Sequence, residues 1–210
     1  MARPSNTEER RAQITGGLAK VMAKRGFDGA SVAAVAKAAR LSPGLVHYHF
    51  KNKQQILLAL LNDLVAQHAA GLDARLQVAQ GDPIDELVAF IDFHLGVGAD
   101  ADPQALACWI LLSGEALRNQ AVRVEFEQAL QSIIARLREI LRRGAASGTF
   151  TTSSVDAAAS ALVATIQGYF VLAATARSAI PSGSAAACAK QMAEGLLRPE
   201  RSLHATEPVS

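Results

Sequence analysis

Residues 41–53 read LSPGLVHYHFKNK. Ser42 followed by Pro43 is a helix start. The serine hydroxyl can accept from an early backbone N–H, and proline at the first helical position lacks a donor that would be orphaned there anyway. The helix then carries His47, Tyr48 and His49 and is followed by Lys51, Asn52 and Lys53. Four readings fit this crowding: a metal site, a catalytic base, a solvated helix face, or a surface that grips a polyanion. His47 and His49 stand two apart, about 200° around a helix, so they do not share one ion as an i, i+4 pair does. No Ser-His-Asp or Cys-His set, phosphate loop or paired-carboxylate motif stands out along the chain. Metal and catalysis therefore fall behind, and no cofactor is implied.

The flanking sequence decides between the other two. Upstream, Ser31 caps a short helix, VAAVAKAA, with Val32, Val35, Ala36 and Ala39 on one face, ending near Arg40-Leu41. Before it, a longer helix runs from about Ser5 to Arg25, with Ile14, Leu18, Val21 and Met22 at helical spacing and Gly26 as its stop. Gly16 and Gly17 inside it each cost about 1 kcal/mol relative to alanine, which close approach of a neighbouring helix would explain. On the third helix, which ends near Phe50, Val46 and Phe50 lie four apart and face inward. Two short capped helices behind a longer one make a helix-turn-helix arrangement. Asn52 caps a fourth helix, striped by Ile56, Leu57, Leu60, Leu61, Leu64 and Val65 and reaching the neighbourhood of Ala79.

Charge supports the polyanion reading. Residues 1–60 hold ten Lys and Arg against three Asp and Glu, a balance of +7, whereas residues 61–210 carry −5. A basic end on an acidic remainder suits a chain with two jobs. Half of the 210 residues are apolar, aromatics are few and alanine abundant, so the fold class is all-α. Cys108 and Cys188 lack metal-type spacing and read as free thiols in a reducing cytoplasm. The polar start MARPSNTEERR is not a signal peptide. No residue between Asp156 and Arg177 is charged, a window long enough to span a bilayer. Its alanines and its Ser160, Thr165, Gln167 and Gly168 make it too weakly apolar, and a buried or subunit-paired helix fits better.

With Ile14, Gly26, Ser31-x3-Val35-Ala36-x2-Ala39, Leu41-Ser42-x-Gly44, Val46, Phe50 and Lys53-x2-Ile56-Leu57 in register, residues 10–61 resemble the TetR family of one-component transcriptional regulators. The resemblance implies a homodimer with DNA-binding domains at one end, a ligand-binding core above them, and a four-helix bundle formed by the last two long helices of each subunit. Three positions depart from the family pattern: Arg40 where the turn usually has glycine, His47 where tyrosine is common, and Gly17 where alanine is usual. Under this reading the third helix enters the major groove. Gly44, Leu45, His47 and Tyr48 face the bases, and Ser31, Lys37, Arg40, Ser42, Pro43, His49 and Lys53 face phosphate. A cation in the first turn of a helix opposes the dipole, so Lys53 in particular asks for a nearby anion.

The remainder speaks through helix count. Pro83 opens a fifth helix and Asp102-Pro103 a sixth. A seventh covers about Gln120 to Ala146, an eighth runs from a cap at or near Ser154 to about Arg177, and Ser184–Leu197 is the ninth. The domains expected are 8–53 for DNA and 54–198 for ligand and dimerisation, followed by a disordered tail over 199–210. Candidate ligand-pocket residues are Phe90, Phe93, His94, Trp109, Leu112, Glu115, Phe126, Gln167 and Phe170, each with an alternative place in the core. Small residues on the last two helices suggest a dimer interface through Ala158, Ala161, Leu162, Ala185, Ala189, Met192 and Ala193. The expected function is a cytoplasmic, homodimeric, ligand-responsive repressor on a near-palindromic double-stranded operator. The alternatives are an activating or architectural DNA binder without a ligand, and a helical scaffold or enzyme.

Overall fold

The computed structural model describes residues 6–79, 81–96 and 103–204. Ser5, Asp102 and residues 205–210, which the sequence reading assigns to helix starts and to the tail, lie outside the described residues. The described residues form α1 (Asn6–Arg25), α2 (Val32–Ala39), α3 (Pro43–His49), α4 (Lys53–Val78), α5 (Pro83–Leu95), α6 (Pro103–Ala116), α7 (Gln120–Ser147), α8 (Val155–Thr175) and α9 (Ser184–Leu197), with no strand among them. The helix ends fall where capping chemistry places them. Ser31, Ser42 and Ser154 oxygens accept from Ala34, Leu45 and Ala157 N–H, and Asn52 Oδ1 accepts from Gln55 N–H at 2.9 Å.

The helices pack as two compact units that do not follow chain order. The first holds α1, α2, α3, α4 as far as His68, α6, and α7 as far as Ala129. Its interior is Ile14, Leu18 and Met22 of α1, Val35 and Ala36 of α2, Val46 of α3 with Phe50 just after it, and Ile56, Leu57 and Leu61 of α4. Packing on α1 brings α6 into this unit, where the buried Cys108 thiol reaches the Ala19 carbonyl at 3.6 Å. Thr15, buried on α1, donates to Asp63 of α4 at 2.7 Å. Gly17 and Gly16 prove different. A Cβ on Gly17 would stand 2.8 Å from the Val35 carbonyl oxygen and 3.0 Å from Ala39 Cβ, so the close approach expected of α1 occurs here, against α2. A Cβ on Gly16 meets nothing within 4 Å, and that glycine has no packing reason.

The second unit holds α4 from Ala69, α5, α7 from Leu130, α8 and α9. Leu72, Leu76, Leu87, Phe90, Ile91, Leu137, Ile140, Leu162, Val163, Ile166, Ala189, Ala193 and Leu197 form one core, closed by Phe150 and Leu203. Burial of Leu203 corrects the expectation of a disordered tail from residue 199. Residues 199–204 strap onto this unit: Glu200 N–H donates to Thr149 O, and Leu203 N–H and Ser202 Oγ donate to Glu194. Arg201 bridges Asp82 and Asp85 at 2.9 and 2.8 Å. Asp82 is also the N-cap of α5, accepting from Ile84 and Asp85 N–H. The Asp85 N–H chiefly, helped by the Ile84 N–H and the Arg201 guanidinium, holds its carboxyl below the usual range against the opposing effect of partial burial. The Arg201 contacts were illegible in sequence because Asp82 and Asp85 stand 119 and 116 residues upstream.

The two glycines give a paired test. Gly16→Ala should raise unfolding stability by about 1 kcal/mol through helix propensity. Gly17→Ala should lower it by about 1–3 kcal/mol through overpacking against the α2 backbone. Urea midpoints measure both, and a destabilised Gly16→Ala or a stabilised Gly17→Ala contradicts the packing described.

Candidate nucleic-acid interface

Helices α2 and α3 are joined by a turn whose geometry depends on Arg40. Its φ of 57° and ψ of 40° are left-handed, and it is one of two described non-glycine residues at positive φ. The turn closes with Arg40 N–H to Lys37 O and Leu41 N–H to Ala36 O, satisfying carbonyls that a helix end leaves orphaned. A side chain in this region costs roughly 1–2 kcal/mol relative to glycine. The chain bears that strain and gains an exposed guanidinium at the turn.

The two faces of α3 separate as its spacing predicts. Val46 and Phe50 are 1% and 2% exposed, whereas Gly44, His47 and Tyr48 face solvent, Tyr48 at 81%. Leu45 and His49 are half-buried at the edges, and the Tyr48 and His49 rings meet edge to face at 5.1 Å. Space around Gly44 is open, so another backbone can approach it. Ser31, Lys37, Ser42 and Pro43 are all exposed on the same helix pair. The hydroxyls of Ser31 and Ser42 use a lone pair as caps, which leaves each O–H free to donate.

Lys53 differs from its expected role. Its ammonium donates to the Phe27 carbonyl at 2.8 Å and lies 4.2 Å from the centroid of the Phe27 ring. Within the fold, a carbonyl dipole and a ring face offset the cation at this helix start. Arg11, absent from the sequence-derived set, shows the same chemistry on α3. It donates to His49 O at 3.0 Å and covers the Phe50 ring at 4.1 Å. A signal existed: Arg11, Ile14 and Leu18 share one face of α1 at i, i+3, i+7, which points the arginine toward the packed side.

The nine pocket candidates divide between the units. In the first, Trp109 stacks on Phe126 with centroids 4.5 Å apart, Leu112 is fully buried, and Glu115 pairs with Arg118 at 2.9 Å. In the second, buried His94 donates from Nδ1 to the Phe90 carbonyl at 2.7 Å. Phe90, Phe93 and Phe170 surround its ring at 4.4, 5.2 and 6.4 Å, and Gln167 lies on the same helix as Phe170. Phe90 and Leu112 thus serve the core. A cleft of about 420 Å³ in the second unit is lined by none of the nine. Its Arg136 and Arg143 are paired with Asp73 and Glu86.

The expected interface residues also divide. Ala158, Leu162, Ala189 and Ala193 are buried in the core of their own chain, which takes them off its surface: an alanine-rich helix offers small residues on every face. Ala161 and Met192 point outward and Ala185 is half-buried. The exposed residues of α8 are Asp156, Ala157, Ser160, Ala161, Ala164, Gly168, Val171, Leu172, Ala174 and Thr175, and those of α9 include Cys188, Met192, Gly195 and Leu196. By length and composition α8 could cross a membrane, yet one side of it is packed in the core and only 28% of its apolar window is buried.

Comparison with known proteins agrees with this geometry. Residues 14–60 match the family model of bacterial regulatory proteins of the tetR family, and residues 83–198 match that of the BetI-type transcriptional repressor C-terminal domain. An HTH-type transcriptional regulator BetI of Rhizobium meliloti is 26% identical over 114 residues, 54% of this chain and 55% of that protein. The chain therefore spans about half the length of that curated relative in the match. The BetI of Burkholderia ambifaria is 26% identical over 85% of this chain and 89% of its own. Among solved structures, a protein from Saccharomonospora viridis, described as a transcriptional regulator and solved in complex with choline, superposes with a TM-score of 0.80 at 22% identity. That match covers 92% of this chain and all of the other.

Proposed function

The chain belongs to the tetR family of bacterial regulatory proteins, and from that premise we propose that it is a cytoplasmic, homodimeric repressor that reads a near-palindromic DNA operator and leaves it on binding a small molecule. The observation that carries the DNA part is α3 itself. Its apolar residues Val46 and Phe50 are buried in the first unit, and the polar edge that they leave outside is exposed and capped at a basic end of the chain. Gly44, Leu45, His47 and Tyr48 would meet base edges, and Ser31, Lys37, Arg40, Ser42, Pro43 and His49 would meet phosphate. Lys53 we assign to holding Phe27, with phosphate a secondary role. Residues 8–53 are the DNA-reading segment and 54–198 the effector and self-association segment, even though α6 packs with the former.

Dimerisation rests on the outward face of α8, uncharged from Ala157 onward, and that of α9. Val171, Leu172, Met192 and Leu196 stay 39–49% exposed, and a second copy laid against them buries that surface without lipid. Ala157, Ala161, Ala164, Gly168 and Gly195 let the helices approach closely. For the effector, the choline held by the S. viridis protein suggests a small organic cation. The ring faces available are Trp109–Phe126 in one unit and Phe93–Phe170 beside His94 in the other. Release follows only if the effector binds the non-operator conformation more tightly.

Selection from a random duplex library should yield one enriched, near-palindromic sequence. Binding to it should weaken steeply with salt as counterions are released. Tyr48→Ala should weaken that binding by about tenfold to hundredfold and leave the urea midpoint in place. Equal affinity for every duplex sinks the sequence-specific reading. Light scattering on the eluting protein should give twice the chain mass, and Leu172→Glu with Met192→Glu should give the monomer; a wild-type monomer at micromolar concentration contradicts the interface. Choline at a hundred times its dissociation constant should add about 2.7 kcal/mol, a rise of roughly 5–10 °C in melting temperature. No shift at millimolar choline removes the organic-cation assignment and leaves the DNA reading standing.

A further inference from the structure

A helix of seven residues is not self-supporting: nucleation costs more than its few hydrogen bonds return. Helix α3 must therefore be held from outside at both ends. Ser42 holds the first turn, and Phe50 N–H closes onto Val46 O at 2.9 Å. The last carbonyl of the helix, that of His49, has no amide of its own helix to accept from. It receives Arg11 Nη1 at 3.0 Å from α1, across 38 residues of sequence. The guanidinium carbon of the same arginine lies over the buried Phe50 ring, 4.1 Å from its centroid. Its positive charge sits at the negative end of the α3 dipole, where a cation is favoured.

Resting on the DNA-binding reading, we propose that Arg11 is a positioning residue for operator recognition: it clamps the C-terminal end of α3 and sets the pitch at which Leu45, His47 and Tyr48 are presented. Arg11 is exposed, and the contacts of its guanidinium are to the His49 carbonyl and the Phe50 ring of its own chain. Arg10 beside it turns away to Gln13 at 2.8 Å. Lys53 on Phe27 repeats the device at the start of α4, so the domain uses a cation over a ring twice, once on each side of α3. The His49 ring, whose backbone Arg11 holds, touches Tyr48 edge to face, which links the clamp to the most exposed residue of the reading face. Lys53 meets the carbonyl and the ring of one residue, Phe27, with a single ammonium. Arg11 instead reaches the His49 carbonyl with Nη1 while its Cζ lies over the ring of Phe50, a two-point contact that the planar fork makes and a lysine at this position does not.

The test uses the full chain and two measurements. By hydrogen exchange, Arg11→Lys should open residues 43–50 about tenfold faster while α5 and α8 keep their protection. On the duplex selected by the wild type, Arg11→Lys should bind about tenfold more weakly with an unchanged slope of log affinity against log salt, and random duplex should be bound within about twofold of wild type. A phosphate contact behaves otherwise: Arg11→Lys would bind like wild type, and Arg11→Gln would lose about one unit of salt slope on selected and random duplex alike. That result overturns the proposal. Unchanged exchange at 43–50, or faster exchange throughout the chain, overturns it too. A wild type that selects no duplex sinks the DNA reading, and the exchange pattern alone then decides the clamp.

Discussion

The burial of Val46 and Phe50 is the constraint on which the rest of the DNA-reading segment depends. These two residues are the only apolar anchors on the buried side of a helix too short to stand alone. Everything near α3 serves to keep them seated. The left-handed Arg40 turns the chain back at the right point, Ser42 caps the entry, and Arg11 covers Phe50 and holds the last carbonyl. The basic residues of this end thus fall into two groups with different work. Some face solvent, and some lie on rings and carbonyls of their own chain. Formal charge alone does not separate them, which is why +7 over residues 1–60 overstates the cationic surface free to meet DNA.

A complementary constraint governs α8. It carries no charge from Ala157 to Ala176, and one side is packed beneath α5 and α9. The other side shows alanine, glycine, valine and leucine to the surroundings. Such a face is costly in water and is resolved only by something that covers it. The absence of charge was readable in sequence. Which alanines face which way was not, because a helix with alanine on all sides has no amphipathic stripe to orient it. The Asp92–Lys190 pair at 2.8 Å ties α5 to α9 across 98 residues, and that contact is not a local signal either.

Local chemistry was legible and long-range chemistry was not. Serine caps, a proline at the first helical position and glycine stops located the helix-turn-helix almost to the residue, because a cap and its N–H stand two or three positions apart. The third helix ends at His49, one residue before the expected Phe50, which becomes its C-cap. Arg11 to His49, Lys53 to Phe27 and Arg201 to Asp82 span 38, 26 and 119 residues, and sequence spacing, which puts Arg11 on the face of α1 that carries Ile14 and Leu18, does not name the partner in any of them. The pocket candidates suffered similarly. Aromatic and polar residues on apolar stripes were found, but whether a ring closes a core or lines a cavity depends on what packs opposite. For Phe90 and Leu112 the answer is core.

The separation of faces on α3 has a consequence for specificity. The side chains that hold the helix and those that would read bases lie on opposite sides of one short stretch, residues 44–50. Val46 and Phe50 can stay fixed while Gly44, Leu45, His47 and Tyr48 change, because substitution on a solvated face is worth little to stability. The departure at His47 is therefore free to alter the operator with little effect on the fold. Imidazole can donate or accept at a purine N7, whereas the phenol common in the family reaches further with a single hydroxyl. Arg40 and Arg11 lie on the other side of that division. On the proposed reading, altering them would move the whole reading face at once, so the choice of bases would belong to the outer residues of α3 and the ability to choose at all to the residues behind it.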